Sequence, residues 1–328
     1  MNARDDKSYS HSVSVVIPTH NCLEYLPKAI ESIVSQNVPG VEILIIDDNS
    51  SDNTWEWLQQ QQSILQQTPG APELRCYHLR GVGSARARNF ALKRVRGEYI
   101  AFLDADDYWH PGKLQKQLKF HRANPRVAMS FTNYHHTTPD NTDLGDCFGF
   151  WPHFSRVVVK DKQFHTLPHA AERIFSENVI GTSCVMIKTQ VQKLVGGFDH
   201  QLKSAEDWDL WMRFCKFGRV GYCHEELMEY LVRPGSKTSN RLRRLDHMKI
   251  IMKRYERYVK RLNVWSVMQA HGRLETGYSG YYAENQQYWR AFWHQSKAFV
   301  LNPSKRNLKA ALAQLYWAWK SKKEKQAA

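Results

Sequence analysis

A chain of 328 residues with 42% apolar content is long enough for one large domain with an extension, or for two domains. Its six cysteines are scattered without a CxxC pair, which excludes a disulfide scaffold and predicts free thiols in a reducing, cytoplasmic compartment. The formal charge of +14 asks for a negative partner, and nucleotide phosphates, an anionic membrane or nucleic acid all satisfy it.

The N-terminal stretch MNARDDKSYSHS is polar and lacks an apolar h-region, so residues 1–11 read as a flexible N-terminus rather than a signal peptide. VSVVIPT (Val13 to Thr19) is a continuous β-branched run, the pattern of a strand buried on both faces. LEYLPKAIESIVSQ places Leu26, Ala29, Ile30, Ile33 and Val34 at helical spacing, with Pro27 tolerated only in the first turn. VEILIIDD is a second buried strand ending at Asp47 and Asp48, and a helix is predicted from Thr54. RCYHL gives a third strand, GSARARNFALKRVRG a basic helix stopped by Gly97, and EYIAFLDADD a fourth strand ending in acids. Alternation of this kind predicts an open, mostly parallel α/β sheet, in which ligands bind beyond the carboxyl ends of the strands.

After Pro111 the spacing predicts a helix over 113–122, a strand over 127–134, an irregular histidine-rich stretch over 135–170 and a strand in GTSCVMIK. SAEDWDLWMRFCKFG reads as a helix closed by Gly218. From Lys237 to Arg261 ten Lys/Arg stand against two acids. The stripes Leu242–Leu245–Met248–Ile251–Tyr255–Tyr258–Leu262 and Leu308–Leu312–Leu315–Trp319 make two basic amphipathic helices. Such helices either pack on the domain or lie on an anionic membrane surface. No run of about 18 apolar residues predicts a membrane span.

Asp104 and Asp106, two residues apart at a strand end, point the same way. Their mutual repulsion favours either a shared hard cation, Mg²⁺ or Mn²⁺, or a solvated acidic turn. Together, VSVVIPTHN, EILIIDDNSSDNT, ARN, GEYIAFLDADD, GGFD and SAEDWDLWMR resemble, in order and spacing, the family-2 glycosyltransferases of the GT-A fold. The resemblance covers residues 12–235 as the transferase domain and leaves 236–328 as a helical basic C-terminal extension. It implies a nucleotide site formed by Pro18, Thr19, Asn21, Asp48, Arg88 and Asn89, with Asp48 accepting from a uracil N3–H. It also implies a metal on Asp104 and Asp106, with Asp106 the direct ligand, and Asp207 as the base of an inverting transfer. The implied donor is a UDP-sugar and the acceptor a saccharide; if the basic helices lie on a membrane, that contact points to a lipid-linked saccharide at its cytoplasmic face.

Other readings stand beside these. Ser204 to Asp207 also fits a capping box. Where relatives carry Tyr-Arg-x-His-x-x-Ser this chain has YLVRPGS, so Arg233 replaces the histidine; it is either a diphosphate clamp or a surface arginine. Trp208, and Trp151 to Phe154, are candidates to flank a sugar. The histidines His135, His136, His153, His165 and His169 lack recognised zinc spacing. A sugar-nucleotide nucleotidyltransferase would need a glycine-rich loop after the first strand, where PTHNCLEYL has none. A nucleic-acid-binding protein would fit the charge but has no recognised motif, so no nucleic acid is expected.

Overall fold

The computed structural model describes residues 10–233 and 240–327, with side chains as far as Lys322. The expected terminal segment 1–11 and the domain boundary at 235/236 fall largely outside these residues. Two compact units are resolved. The first draws on Val179–His200, Arg213–Arg233 and the described residues up to Ala170. The second draws on Ala171–Asn178, Gln201–Met212 and the described residues beyond 239.

The first unit is built on ten strands: β1 (His11–Thr19), β2 (Val41–Asp48), β3 (Glu73–Leu79), β4 (Gly97–Phe102), β5 (Tyr108–Trp109), β6 (Val127–Thr137), β7 (Asp143–Asp146), β8 (Phe164–Thr166), β9 (Val185–Lys188) and β10 (Arg219–Leu231). They form one sheet in the order β3-β2-β1-β4-β9-β6-β10-β5, with β7 on β6 and β8 on β10. The pairs β3–β2, β2–β1 and β1–β4 are parallel, as the alternation of strand and helix requires. β9 then runs antiparallel between β4 and β6. Every residue of β2 is buried; Ile43–Ile46 form its apolar centre, while the buried Glu42 before them is paired with Arg75.

Three expectations need correction. Gly97 does not stop the basic helix, which ends at Leu92; it opens β4, and a Cβ there would lie 2.5 Å from the backbone nitrogen of Ser14 on the neighbouring strand. Gly218 likewise lies beyond a helix that ends at Phe214; a Cβ there would meet the Cβ of Ala128 at 2.7 Å, so the glycine permits close strand approach. The 135–170 stretch is not irregular throughout, because it holds β7, β8 and short helices at Cys147–Phe150 and Pro152–Ser155. Phe154 there is buried against Phe131 and Phe148, so it belongs to the core and not to an acceptor platform. As expected, all six cysteines are free thiols.

A buried cation without a carboxylate partner among the described residues is Lys113, in the helix Lys113–Ala123. Lys113 has no exposed surface; its Nζ donates to Gln117 Oε1 at 2.8 Å and lies 4.1 Å from the centre of the Trp109 ring. Burial pulls its ammonium down from 10.5 to about 7. The folded protein therefore holds fewer protons than the unfolded chain between those values, so the cost of burying this group is greatest below about 7 and falls as pH rises through that window. Lys113→Met should accordingly show its greatest gain in thermal midpoint over wild type near pH 6, with the difference shrinking toward pH 10. A difference that does not vary with pH would contradict the assignment.

Candidate active site

The polar ends of β1 and β2 are tied to each other. Asn21, in the left-handed region at φ 51°, accepts from Ser51 N–H through Oδ1 at 2.8 Å and donates its backbone N–H to Ser50 Oγ at 2.9 Å. Asp47 is fully buried and accepts from Ser50 Oγ, with His78 Nδ1 2.7 Å from its other oxygen. Asp48, the proposed base-recognition residue, accepts from the backbone N–H groups of Val82 and Gly83 at 2.6 Å each. It thereby fixes the loop before the helix Ser84–Leu92, where Gly83 takes φ 87°. Each carboxylate oxygen has a second lone pair, so this duty leaves acceptor capacity for a ligand. Pro18 is buried within β1 opposite Ile46. Thr19 is also buried, and its Oγ1 has no hydrogen-bond partner among the described residues.

The helix Ser84–Leu92 presents Arg88 and Asn89 to different tasks. Arg88 is buried, pairs with Asp104 and lies over the Phe198 ring at 5.3 Å. Asn89 donates to Phe198 O and accepts from Phe198 N–H, both at 2.8 Å, so the ARN and GGFD segments are one structural unit. The close fit is visible at Gly197, where a Cβ would approach Asn89 Oδ1 to 2.2 Å. Asn89→Ala removes both bonds and leaves buried backbone groups unpaired, at a cost of about 1–3 kcal/mol. Thermal melting should show this as a fall of several degrees, and an unchanged midpoint would contradict a bracing role.

The acidic segment is not strand. β4 ends at Phe102, and Asp104 to Asp107 form a turn closed by Asp107 N–H donating to Asp104 O at 3.1 Å. Strand geometry therefore does not align the two carboxylates; a turn and its partners do. Asp104 and Asp106 are both partly exposed, the first paired with Arg88 and the second accepting from Arg233 Nε at 2.8 Å. Burial and the nearby charge of Asp104 push the Asp106 carboxyl up. The Arg233 guanidinium also lies 3.2 Å from Cys22 Sγ and 5.1 Å from the centre of the Tyr25 ring. Arg233 is thus no free surface residue, and the chain places it on the acidic turn.

Asp107 completes the segment, and sequence reasoning missed its role. It is buried, accepts from Ser183 Oγ at 2.5 Å and from Leu231 N–H at 3.1 Å, and burial together with Asp106 and Asp104 pushes its carboxyl well above the usual range. Ser183 Oγ in turn accepts from Asp104 N–H at 2.9 Å. These bonds join the turn to the end of β10 and to the 3₁₀ turn Thr182–Cys184. The uninterrupted Asp-Ala-Asp-Asp spelling was the available signal, since three carboxylates in four residues cannot all face water in a chain leaving a buried strand.

Within the second unit, Asp207 stands in the first turn of the helix Glu206–Phe214, with its Oδ1 2.7 Å from the backbone nitrogen of Trp208. Ala205, at φ 58°, precedes the helix, so Ser204 falls one residue short of the N-cap position that the capping box needs. Trp208 does not flank a sugar; it is fully buried, and its indole donates to Ile174 O at 2.8 Å. Asp209 is buried and accepts from Arg254 at 2.5 Å and from Tyr255 Oη at 2.9 Å, while the Arg273 guanidinium lies 4.9 Å from the Trp208 ring. The C-terminal helices thus grip the helix that carries Asp207. Composition gave no sign of these partners.

Hard oxygen donors for a divalent ion are present at the partly exposed carboxylates of Asp104 and Asp106, and this donor set suits Mg²⁺ or Mn²⁺. The one three-residue cluster of ligating type among the described residues is His11, Glu42 and Glu73. Arg75 pairs with Glu42 and Arg96 with Glu73, so that cluster is an ion-pair network. His135 and His165 pair with Asp143 and Asp161 rather than with other histidines.

A glycosyl transferase family 2 model matches residues 14–176, which contain most of β1, all of β2 to β4, the acidic turn and Arg88. The chain belongs to this family. It is a glycosyltransferase. It is 29% identical over 259 residues, 78% of this chain and 93% of the relative, to TuaG of Bacillus subtilis (strain 168), a glycosyltransferase named for teichuronic acid biosynthesis. Over 123 residues, 38% of this chain and 46% of the relative, it is 37% identical to the Escherichia coli UDP-Glc:alpha-D-GlcNAc-diphosphoundecaprenol beta-1,3-glucosyltransferase WfaP. Among solved structures it resembles S. aureus TarS 1-349 in complex with UDP-GlcNAc, at TM-score 0.59 and 18% identity, over 88% of this chain and 89% of that one. It also resembles the mannosyltransferase PcManGT of Pyrobaculum calidifontis in complex with GDP-Man and Mn2+, at TM-score 0.58, over 95% and 86%. These likenesses place the enzyme in the expected GT-A fold. Asp207 and Arg233 lie beyond the residues matched by the family model.

Proposed function

We propose that the enzyme moves a sugar from a UDP-sugar to a hydroxyl of a saccharide or lipid-linked saccharide, with inversion, in the synthesis of a polysaccharide or glycoconjugate. The observation that carries this reading is the acidic turn Asp104–Asp107, gripped by Arg88 and Arg233 beyond the end of β4. The TarS complex with UDP-GlcNAc and the lipid-diphosphate acceptor in the name of WfaP support the donor and acceptor classes.

Asp104 and Asp106 would hold Mn²⁺ or Mg²⁺, which when bound supplies charge neutralisation for the departing diphosphate. Arg88 and Arg233 orient the two carboxylates, and Arg233 has the planar guanidinium suited to a diphosphate oxygen. Asn21 and Asp48 shape the nucleotide side, Asp48 with lone pairs left for an imide N–H, and Pro18 and Thr19 form the strand end beneath it. Asn89 braces Phe198 rather than offering its amide to solvent. Asp207 takes the proton of the acceptor hydroxyl as its oxygen bonds to the anomeric carbon. The bond from that carbon to the diphosphate breaks on the opposite face, and UDP leaves with the electron pair. Residues 12–235 act as the transferase domain and 236–328 as the extension. Among the described residues no helix is long and apolar enough to cross a membrane, and the enzyme meets a lipid-linked acceptor by peripheral association.

Thermal stabilisation by UDP-, GDP- and dTDP-sugars, each with and without Mn²⁺, tests the donor class. Ligand at about 100 times its dissociation constant adds about 2.7 kcal/mol, a readily measured shift. UDP-sugars with Mn²⁺ should give the largest rise. Stabilisation by GDP-sugars alone would overturn the assignment of the base.

A further inference from the structure

The two amphipathic stripes of the extension have different fates. In the helix Arg241–Leu262 most of the stripe is covered within the second unit: Leu245, Ile251 and Tyr255 are buried, Leu242, Met248 and Tyr258 are half-buried, and Leu262 at the end is exposed. In the helix Lys305–Ala327 it is not: Leu308, Leu312, Leu315 and Trp319 are exposed, Leu312 by 58% and Trp319 by 53%. The preceding helix, Tyr288–Leu301, repeats the pattern, with Trp293 exposed by 60% and Val300 by 71% beside exposed Trp289. The two helices form a hairpin, with Tyr288 stacked on Trp317 at 6.1 Å and Gln295 meeting Asn307.

The charge pattern of this hairpin is one-sided. Between Glu284 and Glu324 the sequence holds eight Lys/Arg and neither Asp nor Glu. Helical spacing sets Arg290 and Lys297 beside Trp293, and Lys305 and Lys309 beside Leu308 and Leu312, while Lys320 Nζ lies 5.1 Å from the centre of the exposed Trp317 ring. Exposed tryptophans and leucines flanked by cations, with no acid among them, match the depth profile of a lipid headgroup layer: aromatic rings at the interface, aliphatic chains just below, ammonium groups on anionic phosphates. A second copy of this chain would meet the same cations without a complement on this face. A nucleic acid would gain nothing from Leu312 or Val300.

We propose that the hairpin Tyr288–Lys322 is the element that seats the enzyme on an anionic lipid surface, through Trp289, Trp293, Leu312 and Trp319 in the interface and Lys305, Lys309 and Lys320 on the phosphates. This deepens the peripheral association proposed above, and it rests on none of the transfer chemistry, so vesicle binding and sugar transfer succeed or fail separately. Flotation of the full chain with phosphatidylglycerol–phosphatidylcholine vesicles, against pure phosphatidylcholine, provides the test. Binding is expected to the anionic vesicles at low salt and to weaken as salt rises. Replacing Lys305, Lys309 and Lys320 by Gln should cost about fivefold in affinity per cation removed. Trp293→Ser with Trp319→Ser should weaken binding even at low salt, while UDP binding and the thermal midpoint stay at wild-type values. The control substitution Lys249→Gln, on the helix whose apolar face is mostly buried, should change binding little. No binding to anionic vesicles at low salt overturns the proposal. So does binding untouched by the tryptophan changes, which is the signature of a purely electrostatic, nucleic-acid-like surface. A stable dimer dispersed by those same changes would assign the face to a second copy and equally overturn it.

Discussion

Asp106→Ala is expected to lower sugar transfer by on the order of 10²–10³ or more, the scale of losing one preorganised group that neutralises charge in the transition state. The same substitution should abolish any enhancement of UDP binding by Mn²⁺. Asp106 would have two partners to lose, the proposed metal and Arg233, whose Nε it holds at 2.8 Å. Arg233→Ala separates them. If Asp106 served only to tether Arg233, both variants would lose transfer equally and Mn²⁺-linked UDP binding would survive in each. The account predicts instead that Arg233→Ala keeps the metal linkage, because Asp104 and Asp106 are then both available, and loses less activity than Asp106→Ala. Initial rates of UDP release, with binding isotherms at matched Mn²⁺, measure both quantities.

Asp207→Asn should reduce the rate of transfer by on the order of 10²–10⁴, the usual contribution of a positioned general base. Its binding of UDP should change little, since the proposed nucleotide site is made of residues of other segments. The alternative, that Asp207 merely secures the start of the helix Glu206–Phe214, expects the reverse. In that case the thermal midpoint drops, and activity per folded molecule is preserved. Asn keeps a side-chain acceptor for the neighbouring backbone nitrogen of Trp208, so the substitution isolates loss of basicity from loss of a local hydrogen bond.

Much of the parallel half of the sheet was legible because a strand covered on both faces is mostly apolar, the buried exceptions Ser14 and Glu42 being hydrogen-bonded to each other. Val13–Thr19 and Val41–Asp48 could hardly be anything else. The polar ends of those strands, Thr19 and Asp47–Asp48, were legible as breaks in apolar runs, although all three residues prove to be buried. What could not be read were partnerships between distant segments. Nothing in the order of residues says that Asn89 reaches Phe198, that Ser183 bridges Asp104 and Asp107, or that Asp209 is held by Arg254 and Tyr255. Glycines misled where they served close strand approach, as at Gly97 and Gly218, instead of ending helices. Amphipathic spacing showed that two C-terminal helices had an apolar face, but not that one face is mostly buried and the other open.

The most direct test of the central claim is release of UDP from UDP-sugars by the full chain with Mn²⁺, with EDTA, and by Asp106→Ala. The account predicts turnover or slow hydrolysis of at least one UDP-sugar with Mn²⁺, its loss in EDTA, recovery on adding the metal back, and no recovery in Asp106→Ala. Wild-type protein that neither binds UDP with Mn²⁺ nor turns over any UDP-sugar would contradict it, as would turnover that EDTA leaves unchanged.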